Sequence, residues 1–245
     1  MTIALFSDIH ANMPALEAAL ADIDKREPNV IYCLGDLVGY NIWPNGVVGT
    51  IQKRGIATIA GNHDLKVKPK DNNTDADIPT SGKDYAYEIV SNKAREYLLS
   101  LPAHIRLEYQ LKGEKMNVLL VHGSPRSVNE YLLEDMEEPV LRAIMQEANA
   151  DILCFGHSHK PYHRIITDNG RFRHAINIGS VGKPKDGDPR SCYVLLHIDK
   201  DSSMQSKASI RVDFIRVPYD IEMAAKAIET SPLPNELAEM LRKAY

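Results

Sequence analysis

The chain has 245 residues, of which 44% are apolar and 25% are charged, as in ordinary globular proteins. Its formal net charge of −4 gives no sign of the basic face that a general nucleic-acid binder carries. Neither a run of about 18 apolar residues nor a basic segment before the N-terminal apolar run is found, so we expect a cytoplasmic protein without a membrane helix. We see no linker or composition break and predict one domain over residues 1–245.

Short apolar runs alternate with helical patterns in the first part of the chain. Strands are predicted at residues 2–7, 30–34 and 56–60. Helices are predicted after Pro14, where Leu16, Leu20 and Ile23 fall at helical spacing, and near 44–54. This alternation indicates βαβ units and a parallel sheet that is buried on both faces.

The middle of the chain predicts a loop, a long helix and a strand pair. Residues 65–82 are polar and aperiodic and are predicted to form a loop. A single helix is predicted over 84–100, with Tyr87, Val90, Ala94, Tyr97 and Leu98 on one face. Strands follow at 105–111 and 116–121, and a helix near 136–148 leads to a strand at 152–155.

The last third is mostly strand-like. Asn169-Gly170 predicts a hairpin over 163–178, and residues 192–198 and 209–217 form a second strand pair. Two short helices, broken by Pro232 and Pro234, are predicted over 220–245. The fold class is therefore α/β, with two sheets packed face to face in a β-sandwich flanked by helices.

Three cysteines, Cys33, Cys154 and Cys192, each lie in an apolar run. Their odd number and the lack of a C-x-x-C pair argue against a disulfide framework or a cysteine zinc site. We expect three buried free thiols.

Five of the predicted strands end in metal-ligating side chains. These are Asp8 and His10 in D-x-H, Asp36 in GDLVG, Asn62, His63 and Asp64 in GNHD, His122 in VHGS, and His157 and His159 in GHSH. Ligands of α/β sheets bind at the carboxyl ends of strands, so these side chains should converge. One such histidine is more often a core residue, but five motifs in order are not explained by coincidence.

The residue types favour a pair of divalent ions. Carboxylates, an amide and imidazoles together suit Mn, Fe, Zn, Ni or Co. Seven ligands, not counting His63 and Asp64, exceed what one ion with open positions needs. They suit two ions about 3.5–4 Å apart that share a carboxylate and a hydroxide.

The ordered motifs DIH, GDLVG, GNHD, VHG and GHSH resemble those of the calcineurin-like metallophosphoesterase superfamily. NIGS at 177–180 resembles a further element of that family. DIHANMPALEA, HGSPR, GHSHKP and NIGSVGKPKDGDPR resemble a small prokaryotic branch of phosphodiesterases and phosphatases. The resemblance implies the same helix-flanked, two-sheet β-sandwich.

The resemblance also implies roles for the residues. Asp8, His10 and His159 would hold one metal, Asn62, His122 and His157 the second, and Asp36 would bridge both. His63 would bind no metal but would donate a proton to the leaving oxygen or stabilise charge in the transition state, and Asp64 would orient His63.

The function expected from these residues is dinuclear, metal-dependent hydrolysis of phosphate esters, with a bridging hydroxide attacking phosphorus in line and a slight preference for phosphodiesters. Phosphomonoesters, phosphoproteins and dinucleoside polyphosphates stay open as substrates. A metal-binding interaction module without activity is the other class, but it would not need His63. The expected partner is a small phosphate ester, including nucleotide-like ones, and neither a membrane nor nucleic acid is expected.

Several further residues have two interpretations each. Asn12 could reach the substrate region or cap the helix that follows, and Arg126 could clamp a phosphate or lie on a surface loop. Lys66, Lys68 and Lys70 could guide an anion or be solvated beside Asp71, Asp75 and Asp77. Tyr40 and Trp43 could stack on a nucleobase or pack at the rim.

Overall fold

The computed structural model describes residues 1–69 and 81–245. The strands are β1 (Thr2–Phe6), β2 (Val30–Cys33), β3 (Ala57–Thr58), β4 (Ile105–Gln110), β5 (Lys115–Leu120), β6 (Ile152–Phe155), β7 (Tyr162–Asp168), β8 (Arg171–Asn177), β9 (Ser191–His197) and β10 (Arg211–Val217). The helices are α1 (Met13–Arg26), α2 (Pro44–Arg54), α3 (Tyr85–Glu88), α4 (Asn92–Leu99), α5 (Glu138–Glu147), α6 (Ile221–Glu229) and α7 (Glu236–Lys243).

Two five-stranded mixed sheets form the fold, in the orders β10-β9-β1-β2-β3 and β4-β5-β6-β8-β7. In the first sheet β1, β2 and β3 are parallel, while β9 and β10 are antiparallel additions. In the second sheet β5, β6 and β8 are parallel, and β4 and β7 are antiparallel edges. The predicted α/β two-sheet architecture is confirmed, but parallel pairing is not confined to the first part of the chain.

Alternation along β1 shows why the sheets stack. Ile3 and Leu5 are buried in a core shared by both sheets, whereas Ala4 and Phe6 are buried on the opposite face against helices α1, α2 and α4. Successive side chains of a strand point to opposite faces, so an apolar strand is buried on both sides only between two layers. Helix α5 covers the outer face of the second sheet.

The single helix predicted over 84–100 is wrong, because α3 ends at Glu88 and α4 begins at Asn92. The Ser91 side chain accepts a hydrogen bond from the Ala94 amide and so caps α4. The side chain of Asn45 also accepts from the Ser91 amide and donates to the Ile89 carbonyl. The break between α3 and α4 is therefore stabilised by hydrogen bonds that helical periodicity does not reveal.

The predicted loop 65–82 lies only partly within the described residues. A short 3-10 turn covers Asp64–Lys66, and Val67 is buried in the core between the first sheet and its helices. Lys70, Asp71, Asp75 and Asp77 lie outside the described residues. The predicted strand 56–60 is shorter, with ladder pairing only at Ala57–Thr58.

The three cysteines are free and buried, as predicted. Within residues 1–69 and 81–245, no helix combines the length and the apolar character that crossing a bilayer requires. The cytoplasmic location stays a prediction.

Candidate metal centre

The strand ends of both sheets bring the predicted ligands together. Nε2 of His159 lies 3.1 Å from Oδ1 of Asp8 and 3.1 Å from Nε2 of His10. Nε2 of His122 lies 3.4 Å from Oδ2 of Asp36 and 3.1 Å from Oδ1 of Asn62. Three sets of residues could each hold an ion within the described part of the chain: Asp8, His10 and His159; Asp8, Asp36 and His122; and His10, Asp36 and His63.

Backbone carbonyls fix the orientation of three imidazole rings. The Nδ1 atoms of His10, His122 and His159 lie 3.1, 2.8 and 2.5 Å from the carbonyl oxygens of Val38, Leu34 and Lys183, respectively. A carbonyl accepts only from a protonated nitrogen, so Nδ1 carries the proton and Nε2 presents a lone pair. Metal-ligating histidines are typically held in this way.

The centre of the site is made almost entirely of acceptors. Oδ1 of Asp8 and Oδ2 of Asp36 are buried and have no hydrogen-bond partner among the described residues. The unprotonated Nε2 atoms of His10 and His159 face each other beside them. Unpaired buried acceptors are costly, and cations at their centre would remove that cost. The donor set therefore fits divalent metal.

The electrostatics agree with ionised carboxylates. Burial raises the pKa of Asp8 and Asp36, but neighbouring imidazoles outweigh it and hold both pKa values below their usual range. Burial lowers the pKa of His122, but Asp36 and Asp8 outweigh it and raise that pKa to about 10, so Nε2 of this ring is unprotonated only when a cation at the carboxylates takes the place of its proton. Burial lowers the pKa of His159 to about 4 despite the nearby Asp8 carboxylate.

The backbone is strained at the predicted ligands. Asp8, His10, Asp36, His157 and His159 all have positive φ, between 51° and 66°. Left-handed conformation is uncommon outside glycine and costs about 1–3 kcal/mol at a sparsely populated position. The surrounding fold imposes these conformations at five of the seven predicted ligands.

Close approach explains two of the neighbouring glycines. A Cβ at Gly61 would collide with the Asp36 carboxylate, and a Cβ at Gly156 would collide with that of Asp8. Only glycine lets the two turns pass this close to the ligands.

His63 lies beside the acceptors, and its partner is a tyrosine. The Tyr87 hydroxyl lies 2.5 Å from Nδ1 of His63. The Asp64 carboxylate instead accepts hydrogen bonds from the amides of residues 36, 37, 38 and 61. The expectation that Asp64 orients His63 is therefore wrong: Asp64 holds the turn after β2. Burial and His10 lower the pKa of His63 to about 3.

Tyr87 had no sequence signal of its own, because it lies 24 residues from His63 on the apolar face of a predicted helix. Tyr131 was also missed. Its ring stacks on that of His157 with 4.0 Å between centroids, and the residue is 49% exposed. Nε2 of His157 lies 3.3 Å from the Asn129 carbonyl oxygen, so Nδ1 is the nitrogen left for a metal.

The structure resolves the interpretations of Asn12 and Arg126. Asn12 caps α1 by accepting from the Ala15 amide, and its side-chain amide donates to the Gly182 carbonyl and the Tyr219 hydroxyl. Arg126 pairs with Glu147 on the surface. Both side chains have protein partners, so neither is placed as a substrate contact.

Tyr40 lies in the site and Trp43 does not. The ring of Tyr40 lies 4.7 Å from that of His10 and 4.8 Å from that of His63. Trp43 packs with α6 and α7. Lys66 and Lys68 are both exposed, and the Lys66 ammonium lies 5.9 Å from the ring centroid of Tyr87.

Comparison with known proteins agrees with this geometry. Residues 1–201 match the model of the calcineurin-like phosphoesterase superfamily domain. The chain is 32% identical to the uncharacterized protein MJ0912 of Methanocaldococcus jannaschii, over 98% of this chain and 96% of that protein.

Two solved structures are similar over nearly their whole length. A metallophosphoesterase from Sphaerobacter thermophilus matches with a TM-score of 0.77 and 27% identity, over 100% of this chain and 99% of that one. The hypothetical protein PH1004 from Pyrococcus horikoshii OT3 has the same fold, with a TM-score of 0.80, 23% identity and coverage of 100% and 98%. The chain therefore belongs to the calcineurin-like phosphoesterase superfamily and is a metal-dependent phosphoester hydrolase.

Proposed function

We propose that this hydrolase uses two divalent first-row ions, drawn from Mn, Fe, Zn, Ni and Co. One observation carries the proposal: unpaired carboxylate oxygens and unprotonated imidazole nitrogens from both sheets converge on one buried centre. Such a mixture of nitrogen and oxygen donors suits these metals.

The ligands divide between the two ions according to the contacts described above, one cluster around Nε2 of His159 and the other around Nε2 of His122. Asp8, His10 and His159 would hold the first ion, and Asn62, His122 and His157 the second. Asp36 would bridge the ions, since its carboxylate lies 3.6 Å from Nε2 of His10 and 3.4 Å from Nε2 of His122. Such a pair, when bound, supplies charge neutralisation and an activated water.

The chain's own residues then position the ester. His63 would face the leaving oxygen through Nε2, because Nδ1 is engaged by the Tyr87 hydroxyl. A ring that accepts at Nδ1 carries its proton on Nε2, where it can share that proton with the leaving oxygen in a hydrogen bond as negative charge develops there. Tyr87 would act as a positioning residue that fixes this orientation.

The preferred substrate would be a small phosphodiester, including nucleotide-like ones. Specificity would come from loops at the rim, where Tyr131 exposes one face above His157. Phosphomonoesters, phosphoproteins and dinucleoside polyphosphates are the alternatives, and the net charge of −4 does not favour nucleic acid.

We also infer that residues 1–245 act as one metallophosphoesterase domain. The C-terminal helices support this, because α6 and α7 share a core with Tyr40, Ile42 and Trp43 from the loop after β2. That loop carries residues of the metal centre.

The decisive test compares bis(p-nitrophenyl) phosphate with p-nitrophenyl phosphate, using metal-stripped protein reloaded with Mn²⁺. We expect metal-dependent turnover that is faster on the diester. Asp36→Asn should lose both bound metal and turnover, whereas Asp201→Asn, whose side chain is 84% exposed, should keep both. Two bound ions without hydrolysis of either ester would favour the interaction module.

A further inference from the structure

His157 is held differently from the other three imidazoles among the predicted ligands. The rings of His10, His122 and His159 each donate from Nδ1 to a backbone carbonyl, at 2.5–3.1 Å. His157 instead directs Nε2 at the Asn129 carbonyl oxygen, at 3.3 Å, which is longer than an ordinary N–H···O hydrogen bond. A single hydrogen bond leaves a ring free to turn about its N–H axis, so the plane of this ring depends on its other contacts.

The ring of Tyr131 supplies such a contact. It lies within 18° of parallel to the His157 ring, with 4.0 Å between centroids. Tyr131 is 49% exposed, whereas His157 beneath it is 6% exposed. Stacking restrains the tilt of the imidazole plane, and a metal ion must lie in that plane to meet the lone pair of Nδ1. Tyr131 therefore acts on the direction in which His157 offers its free nitrogen.

The loop from His122 to Tyr131 is folded against itself. The Ser124 hydroxyl, two residues after His122, donates to the carboxylate of Glu130, the neighbour of Tyr131. The same hydroxyl accepts hydrogen bonds from the amides of residues 126 and 127, at 3.0 and 3.1 Å. The loop thus begins at one imidazole predicted to bind the second ion and ends on the ring of another.

We propose that Tyr131 is a positioning residue for the second ion, because its ring fixes the plane of His157. The inference rests on the proposed function, in which His122 and His157 bind that ion. The predicted histidines of the first ion are fixed by carbonyls outside this loop. Loss of the Tyr131 ring therefore weakens one metal site and leaves the other unchanged.

The test is calorimetric titration of metal-free protein with Mn²⁺, with metal analysis after dialysis. His157→Ala, which removes the ligand itself, identifies the step that belongs to the second ion. In Tyr131→Ala, the Kd of that step should rise about tenfold. This factor is at the upper end of what a stacked ring pair contributes and at the lower end of what partners of metal-ligating histidines contribute.

Two further variants separate the ring from the loop. Tyr131→Phe keeps the ring without its hydroxyl and should bind both ions as the wild type does. Leu133→Ala removes another exposed apolar side chain of the same region, 44% exposed, and should also leave both steps unchanged. A general loosening of the structure would weaken both steps and would lower the thermal stability of the metal-free variant.

The orientation of His157 can also be measured without metal. Nitrogen-15 NMR of the histidine side chains at about pH 8, where imidazole is neutral, distinguishes the two tautomers. His157, assigned by comparison with His157→Ala, should be protonated at Nε2 alone in the wild type and in Tyr131→Phe. Tyr131→Ala should show both tautomers.

Four results would overturn the inference: an unchanged second step in Tyr131→Ala, an equal weakening of both steps, the same weakening in Leu133→Ala, or a single tautomer of His157 that persists in Tyr131→Ala. A wild-type protein that binds fewer than two ions would instead contradict the proposed function. In that case the tautomer of His157 still decides whether Tyr131 orients the ring.

Discussion

His63 is the residue on which the proposed chemistry depends most directly. His63→Ala should slow alkyl phosphate esters about 10²- to 10⁴-fold, because a poor leaving group needs the proton that the ring supplies. Nitrophenyl esters, whose leaving group is stable as an anion, should lose much less. The measurement is kcat on both ester types, with metal content determined in parallel.

Metal content has to be measured because His63 could itself be a metal ligand. Its ring lies close enough to His10 and Asp36 for the three side chains to share one ion. Retention of both ions in His63→Ala would agree with a residue that binds substrate and not metal. Equal losses on both ester types, or loss of an ion, would contradict the acid role.

Tyr87 should affect turnover only through His63. Tyr87→Phe removes the hydroxyl at Nδ1 of the ring, and one neutral hydrogen bond is worth about 0.5–1.5 kcal/mol, so kcat should fall by about tenfold or less with KM nearly constant. Tyr85→Phe on the same helix is the control. The double variant His63→Ala/Tyr87→Phe should be no slower than His63→Ala alone, since a coupled pair is not additive.

At the residue scale, ligand identities follow well from sequence, whereas hydrogen-bond partners do not. Asp8, His10 and the GHSH histidines come directly after strands, so their convergence follows from topology. The partner of His63 and the role of Asp64 depend on which side chain of a distant helix reaches the ring. Spacing along the chain carries no information on such a contact.

At the scale of elements, the cap of α4 should contribute measurably to stability. Ser91→Ala leaves the Ala94 amide without its partner and should lower the free energy of unfolding by about 1 kcal/mol. Ser91→Asp, which offers another good capping oxygen, should stay near the wild type. Urea denaturation measures both, and equal destabilisation by the two variants would contradict the capping role.

The β7–β8 hairpin should make stability depend on pH. Arg173 donates to the Asp168 carboxylate at 2.7 Å, and this hydrogen bond lowers the pKa of Asp168 in the folded state. Gln146 of α5 also donates to it, at 2.9 Å. The stabilisation is therefore present above the unfolded pKa of about 3.9 and is lost as the pH falls below it.

Asp168→Asn should accordingly lower stability at pH 7 by roughly 1–3 kcal/mol, and the difference from wild type should shrink toward pH 3. Urea unfolding at the two pH values measures this. Asp201→Asn, an exposed carboxylate, should show no such trend. A difference that is constant with pH would exclude an ionised Asp168 as the source.

Most elements could be predicted from periodicity and turn residues, and the failures share a cause. The break between α3 and α4 depends on Asn45, which is more than 40 residues away along the chain. Strand β3 is short because it pairs with β2 at two positions, Ala57 with Tyr32 and Thr58 with Cys33. Both features depend on partners that local sequence does not show.

At the scale of the whole molecule, metal binding should stabilise both sheets together. A ligand present at 100 times its Kd adds about 2.7 kcal/mol to the free energy of unfolding, and a chain of this size gains about 2–4 °C in Tm for each kcal/mol. Removing metal by chelation should therefore lower Tm by several degrees, and Mn²⁺ should restore it. In Asp36→Asn, the shift should be much reduced, as calorimetry can show.

The two-sheet architecture followed from the sequence, but the allocation of the late hairpins did not. The β7–β8 hairpin belongs to the second sheet and the β9–β10 hairpin to the first. The sheet to which each hairpin belongs is decided by the pairing of β9 with β1 and of β8 with β6, and local sequence does not show these pairings.

The distribution of the predicted ligands has a consequence for split forms of this protein. Asp8, His10, Asp36 and Asn62 follow strands of the first sheet, and His122, His157 and His159 follow strands of the second. A chain cut between β3 and β4 whose sheets stay packed keeps a complete site, whereas neither piece alone carries all of the predicted ligands. Two separately inactive fragments would regain hydrolysis only on reassembly, so hydrolysis of a chromogenic ester would report directly on their association.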